Sequence, residues 1–283
     1  MSAACEAPAI LRVKCRPIAI SDLDTLVKLY VEGFPDTRRE FWMAGMKRFS
    51  EMPPVEGMSR FGYALEVKKS LVGALLTLSS RRGDDIIANV SAWYVQAGYR
   101  VYSMWLVATA TNRKDVTYLN ASPARHTRET LEAADWKQYT SGQSLVFPHL
   151  NLSSGRISET IPNDLPERAL LSDHRRWGCT SIVCTTARGR FPFVFRRHWI
   201  GPRRRKLPVL EMIYCRSSGE FDHCSGPLGR YFLQRRLGLG VLLDGQSRAL
   251  FTVHRPGRED RLYKGPHPPA LNDLAYTEKV IFQ

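Results

Sequence analysis

Along the first half of the chain the spacing of apolar residues switches repeatedly between a strand-like and a helix-like period, and the order of those switches restricts the fold more than any other feature. Residues 11–17 alternate as a short strand. Ser21 and Asp24 then read as a capping box, and Leu23, Leu26, Val27, Tyr30 and Val31 recur on one helical stripe until Gly33 and Pro35 end it. A second helix is expected over residues 37–50, with Phe41, Trp42, Met46 and Phe49 inward, before Pro53 and Pro54 break it. Residues 61–66, 71–79 and 88–95 form a meander of strands, the first two joined by a short turn at 67–70. A helix at 103–113, a strand at 116–120, a helix at 123–134 and a strand at 137–142 complete the order β-α-α-β-β-β-α-β-α-β. A strand-rich middle followed by a β-α-β crossover predicts an α/β chain built on a mixed, partly parallel sheet.

The second half repeats that order with weaker local signals. A polar stretch at 151–164 reads as a linker, and Asp164 caps a helix over 165–177 with Pro166 in its first turn. Strands at 180–186, 191–200 and 208–214 match the earlier meander in number and spacing. Residues 225–237 read as a helix with Gly238 as its cap, and strands are expected at 240–244, 248–253 and 275–282. The predicted organisation is an N-terminal domain at 1–145, a linker at 146–164 and a C-terminal domain at 165–283, with agreement in element order rather than in sequence.

Composition narrows the setting. The longest smooth apolar stretch, 71–78, is far short of the roughly 20 residues of a membrane-spanning helix, and the opening residues lack a basic n-region, so the expectation is a cytoplasmic protein without a membrane partner. Six cysteines form no CxxC pair and no zinc spacing, so no metal is expected. The net charge of +14 is uneven: residues 1–145 carry 19 Lys and Arg against 15 Asp and Glu, whereas 146–283 carry 22 against 12. Such a field attracts nucleic acid, an anionic surface or a polyanionic small molecule, and charge alone does not choose among them.

One segment has a defined physical use. Ala92-Trp93-Tyr94-Val95-Gln96-Ala97-Gly98-Tyr99-Arg100-Val101-Tyr102-Ser103 leaves a strand, loops and enters a helix, which exposes backbone N–H groups at the positive end of the helix dipole beside the charge of Arg100. This segment, together with VTYLNASPARHTRETLEAADW at 116–136 and the element order, resembles the GNAT superfamily of acyl-CoA-dependent acyltransferases over residues 11–142, which implies two tandem GNAT-like folds with the second degenerate. The resemblance implies that acetyl-CoA or another acyl-CoA is the co-substrate, with Trp93, Tyr94, Val95, Arg100, Val101, Tyr102, Ser103 and Asn120 on the cofactor side. Val101 and Ser103 stand where the family has glycines, which narrows the approach of a diphosphate to the backbone. Leu131 stands where the family has a Tyr that protonates the leaving thiolate, and Asp135 replaces a glycine.

Candidates for proton transfer are Ser122, Tyr118 and, beside them, His126, each with a plain alternative as a cap, a sheet residue or a solvated helix position. Glu211 lies in an otherwise apolar strand, where a carboxylate needs a partner or a raised pKa; it reads either as a catalytic base or as an edge residue paired with the basic run 203–206. The residues 217–227, with Asp222, His223 and Cys224, read as a loop. Three functions remain open from sequence: direct acyl transfer from acyl-CoA to an amine or hydroxyl of a small acceptor, anionic if the positive field selects it; acyl-CoA binding or scaffolding without catalysis; and nucleic-acid binding by the basic second half.

Overall fold

The computed structural model describes residues 12–201, 206–247, 249, 251–256 and 260–283. Contacts divide the chain into two compact units, one of Met1–Ser79 with Val90–Arg113 and one of Ser80–Asn89 with Lys114–Gln283.

In the first unit, β1 (Lys14–Pro17) pairs antiparallel with β2 (Gly62–Val67), and β2 pairs antiparallel with β3 (Ser70–Arg82). The β2–β3 turn places Lys68 and Lys69 at φ 46° and 66°, the two left-handed positions of a tight hairpin turn that matches strand twist. Between β1 and β2 lie α1 (Leu23–Gly33) and α2 (Arg39–Glu51), which bury Leu26, Val27, Leu29 and Tyr30, and Trp42, Met46 and Phe49. The capping box falls two residues earlier than Ser21 and Asp24 suggest: the Asp22 carboxylate accepts the Ala19 N–H at 2.8 Å and is gripped by Arg16 at 2.6 Å. The unit closes with the C-terminal part of β4 (Asp85–Val95), a 3₁₀ turn at Ala97–Tyr102 and α3 (Ser103–Ala110).

The second unit holds β5 (Val116–Asn120), α4 (Arg125–Glu132), β6 (Lys137–Thr140), β7 (Gln143–Val146), β8 (Arg156–Ser158), α5 (Arg168–Arg176), β9 (Thr180–Thr186), β10 (Gly189–Ile200) and β11 (Leu207–Tyr214). After these come α6 (Ser218–Gln234), β12 (Val241–Asp244), β13 (Thr252–Arg255), β14 (Arg261–Lys264) and α7 (Glu278–Ile281). The two seven-stranded sheets have the orders β1-β2-β3-β4-β5-β14-β6 and β8-β9-β10-β11-β12-β7-β13. Each contains one parallel pair, β4 with β5 and β11 with β12. The orders superimpose if β14 and β7 exchange places: β14 pairs with β5 and β6, and β7 pairs with β12 and β13. The two sheets thus fit two tandem units of one mixed α/β architecture that trade one strand each. The core under the second sheet gathers Ile182, Phe193, Phe195, Leu210, Met212, Phe221, Leu228 and Phe232, with Phe195 edge-on to Phe232 at 4.9 Å.

Several expectations from sequence need correction. The stretch 217–227 is helical, because Ser217 caps α6 by accepting the Glu220 N–H, and Pro227 lies inside the helix rather than opening it. Asp164 does not cap α5; it pairs with Arg190 at 2.9 Å. The polar stretch 151–164 contains β8. Residues 275–282 form no strand and end in α7, while β14 was not foreseen. Leu11, Arg203, Arg204 and Arg205 lie outside the described residues. No described helix is long and apolar enough to cross a membrane.

Candidate active site

Strand β4 contributes residues to each unit. In the first unit it carries Ala92 at φ 48°, a left-handed non-glycine residue inside a strand, which turns the backbone locally before the chain reaches the next loop. Tyr94 then lies flat against Gly33, where a Cβ would approach its ring to 2.4 Å, and its hydroxyl donates to Glu32 at 3.1 Å. The Gln96 amide donates to the other Glu32 oxygen at 2.9 Å, and the Gln96 N–H donates to the Val72 carbonyl. Burial first, and then the bond to Glu32, push the Tyr94 phenol up. Trp93 is half-buried and Val95 buried.

The loop after β4 is pinned at its start by these bonds and exposed further on. Arg100 is exposed and Val101 is 85% exposed, while Tyr102 packs edge-on to Trp105 and Ser103 begins α3. Arg100 lies three residues before the start of α3, and the Ser103 N–H is tied to the Arg100 carbonyl.

In the second unit, the β4–β5 ladder runs from Ile86 with Val116 to Asn89 with Leu119. At its end Asn89 is 2% exposed, and its amide donates to the Glu278 carboxylate. Ser122 donates its hydroxyl to the other Glu278 oxygen. Asn120 accepts the Ser122 N–H at 3.3 Å, and the Asn89 Oδ1 has no partner among the described residues. The cap of α4 is Ala124, so Ser122 is not occupied as a helix cap. Tyr118 is buried at 1% in the middle of β5, opposite Ala88 and Lys264. The side chain of His126 lies outside the described ones. Glu278 is the residue that sequence reasoning missed; it lies 189 positions from Asn89, and no local pattern connects the two.

The β11–β12 ladder is shorter, Leu210 with Val241 and Glu211 with Leu242, and the space beyond it is closed. The chain segment 272–274 fills that space: the Leu274 N–H donates to the Ile213 carbonyl at 2.7 Å, the Cys215 N–H to the Asn272 carbonyl at 3.2 Å, and the Asp244 N–H to the Asn272 side chain at 2.7 Å. Asn272 adopts φ 63° to make this turn. Arg82 holds the segment through Asp273 and the Ala275 carbonyl, each at 3.0 Å, and buried His174 accepts the Tyr276 N–H at 3.2 Å.

Beside this plug, Glu211 is 2% exposed. Burial acts to raise its pKa, but Lys279 at 3.3 Å, Arg196, Arg261 and His198 hold it down to about 2. A carboxylate so neutralised is a weak base, which removes the reason for reading Glu211 as one. Fully buried Arg261 also clasps Asp244 at 2.7 Å and 2.9 Å and donates to the Ala121 carbonyl. In α6, His223 pairs with Thr186 at 2.9 Å, whereas Cys224 is buried in the core with its thiol pushed far up beside Cys184, so neither forms a nucleophile pair. Among the described residues no group of three or more His, Cys, Asp or Glu is placed to hold a metal ion.

Solved structures match this architecture over most of the chain. A Pyrococcus horikoshii protein described as an acetyltransferase superimposes with a TM-score of 0.58 at 13% identity, covering 96% of this chain and 95% of its own. This is the GNAT fold. A GCN5-related N-acetyltransferase from Anabaena variabilis gives a TM-score of 0.59 at 11% identity over 89% of this chain and 72% of its own. The glucosamine N-acetyltransferase region of a fungal multi-domain β-N-acetylglucosaminidase gives 0.56 at 10% identity over 92% of this chain and 39% of its own. No family model matches the chain, and no curated protein matches it in sequence. The GNAT likeness therefore rests on fold, and the site must be argued from its own residues.

Proposed function

We infer that the protein transfers an acyl group, acetyl being the one we assign, from acyl-CoA to an amine of a small acceptor. The observation that carries this reading is the Glu278 carboxylate, held by Asn89 and Ser122 at the end of the first parallel ladder of a GNAT fold. A carboxylate oriented by two donors at the first residue of α7 retains lone pairs for a proton, the arrangement a general base requires. The acceptor nitrogen attacks the thioester carbonyl, the C–N bond forms, the C–S bond breaks, and Glu278 takes the ammonium proton while the thiolate is protonated from water.

The cofactor-side assignments fall in the first unit. Its residues Trp93, Tyr94 and Val95 lead into the loop of Arg100, Val101, Tyr102 and Ser103, to which we assign the CoA diphosphate; Arg100 supplies charge and the start of α3 supplies dipole. Asn120 and Ser122 steady the carboxylate end, and Tyr118 supports β5. An amino sugar is a sensible first acceptor class, because one structural neighbour is named for glucosamine N-acetylation. The cytoplasm suits the five cysteines among the described residues, which are free thiols. Leu131, buried at 1% where a proton-donating Tyr is expected, favours one second reading, an acyl-CoA binder without turnover.

Thiol release from acetyl-CoA in the presence of glucosamine and other small amines tests the proposal. Release that needs the amine and vanishes in Glu278→Gln supports transfer. Tight acetyl-CoA binding with no release across the panel supports the binder, and no binding of acetyl-CoA at all discards both.

A further inference from the structure

A cleft of about 310 Å³ opens in the second unit, lined by none of the residues assigned above to acyl transfer. Its wall is formed by Glu159 just after β8, Arg175 on α5, Thr180 and Ser181 at the start of β9, and Tyr231 and Arg235 at the end of α6. At roughly 30 Å³ per water it has room for about ten solvent molecules, hence for a small metabolite rather than a single ion.

The wall already holds one carboxylate. Glu159 accepts from the Tyr231 hydroxyl at 2.9 Å and from Arg235 Nη2 at 2.6 Å, and the Arg235 guanidinium lies 5.9 Å from the Tyr231 ring centroid. Arg175 gives Nη2 to the carbonyls of Ser181, at 2.6 Å, and Glu159, which leaves its Nε and Nη1 donors without a hydrogen-bond partner among the described residues. Ser181 is 2% exposed, and its hydroxyl likewise lacks a partner among the described residues. Ser181 therefore meets the cleft through its carbonyl, which Arg175 holds. The Glu159 and Arg235 side chains, by contrast, are 50% and 60% exposed, so their ion pair rearranges at little cost.

We propose that this cleft binds a small organic anion through a carboxylate or phosphate group, with Arg235, Tyr231 and Arg175 as donors and the Glu159 carboxylate occupying the anion's place until it arrives. Glu159 is then both a template and a competitor: it marks the position where the wall accepts an oxyanion, and it must move aside for the ligand. Planar guanidinium donors suit both oxyanions, so the ligand's identity is left to the probes.

Calorimetric titration with citrate, glucose 6-phosphate and inorganic phosphate at constant ionic strength tests the site. One-to-one binding of citrate or glucose 6-phosphate is expected, and whichever of them binds tells carboxylate from phosphate recognition. Arg235→Ala and Arg175→Ala each weaken that binding by about tenfold or more, in line with the loss of a charge-assisted contact. Glu159→Gln tightens it, by about threefold to tenfold, because the built-in competitor loses its charge. Tyr231→Phe weakens it about threefold at an unchanged melting temperature and stands in if either arginine variant fails to fold. The proposal is overturned if none of the probes saturates below about 20 mM, a range weaker than any useful site. It is also overturned if Glu159→Gln weakens binding, or if Arg100→Glu abolishes it, which would place the anion at the β4 loop.

Discussion

The two parallel ladders are the same device put to different ends. After the β4–β5 ladder, the chain brings a single carboxylate, Glu278, to Asn89 and Ser122. After the β11–β12 ladder it lays down its own backbone, residues 272–274, and satisfies the amides of Asp244 and Cys215 and the carbonyl of Ile213 itself. The contrast extends to the crossovers: β4 is followed by an exposed 3₁₀ turn carrying Arg100 and then a short helix, whereas β11 runs almost directly into a capped helix of 17 residues. Parallel strands that diverge leave hydrogen-bonding groups that something must meet. In the second case the chain meets them permanently, so that ladder contributes stability and a fixed platform for the C-terminal segment, which in turn delivers Glu278.

The sharpest way to break the comparison is at Glu278. Glu278→Gln should lower kcat for acetyl-CoA-dependent acylation by about 10²- to 10⁴-fold, the usual contribution of a general base, with acetyl-CoA affinity within about threefold of wild type. Steady-state kinetics and calorimetry read the two quantities separately. Unchanged kcat would reduce Glu278 to a strand clasp and leave the two ladders alike.

The plug comes next. Leu274 is fully buried and its N–H pairs with Ile213, so Leu274→Ala should cost about 2–5 kcal/mol in urea denaturation. A plugged second ladder also predicts one acyl-CoA per chain. Two equivalents bound by the wild-type protein would show that the second ladder opens, and the asymmetry would be lost. Smaller again is the effect expected at the loop: Arg100→Glu should weaken acetyl-CoA binding by about thirtyfold, roughly 2 kcal/mol, because it replaces attraction for a diphosphate with repulsion. Full affinity in that variant would detach the cofactor from the β4 loop.

Legibility in the sequence divides along the same line. The meander, β5 and β9 were legible because runs of β-forming residues are a local signal, and β5 and β9 fall at the predicted residues. The start of α6 carried a readable signal, Ser217 with Glu220 three residues on, but Gly226 and Pro227 gave a louder and misleading one. The exchange of β7 and β14 had no signature, since the partners of a short four-residue strand are set by tertiary register rather than by its own residues. Residues 275–282 have a strand's composition but run into α7, after Asn272 turns the backbone at φ 63°. Glu211 was visible as a buried carboxylate, while its three cationic neighbours, drawn from β10, β14 and α7, were not.

The smallest effect is the one that ties the plug to pH. His174 is neutral in the fold: its Nδ1–H donates to the Leu170 carbonyl at 2.8 Å and its Nε2 accepts the Tyr276 N–H, and desolvation first, aided by Arg82 and opposed by Asp273, lowers its pKa from 6.5 to about 4. The unfolded chain therefore binds a proton that the folded one refuses between those values, so stability present above pH 6.5 is lost as pH falls toward 4. At pH 5.5 the loss from this residue is about 1.4 kcal/mol. Glu211 adds a separate loss of the same sign at lower pH, between its ordinary 4.5 and about 2, as its carboxylate is protonated and its cations are left unpaired. Urea denaturation at pH 7.5 and 5.5 should show the first step, with amide exchange rising at residues 272–276 before it rises in β9 and β10. His174→Asn should flatten the interval between pH 7.5 and 5.5. If it does not, the histidine clasp is not what holds the second ladder closed, and the plug must be credited to Arg82 and Asp273 instead.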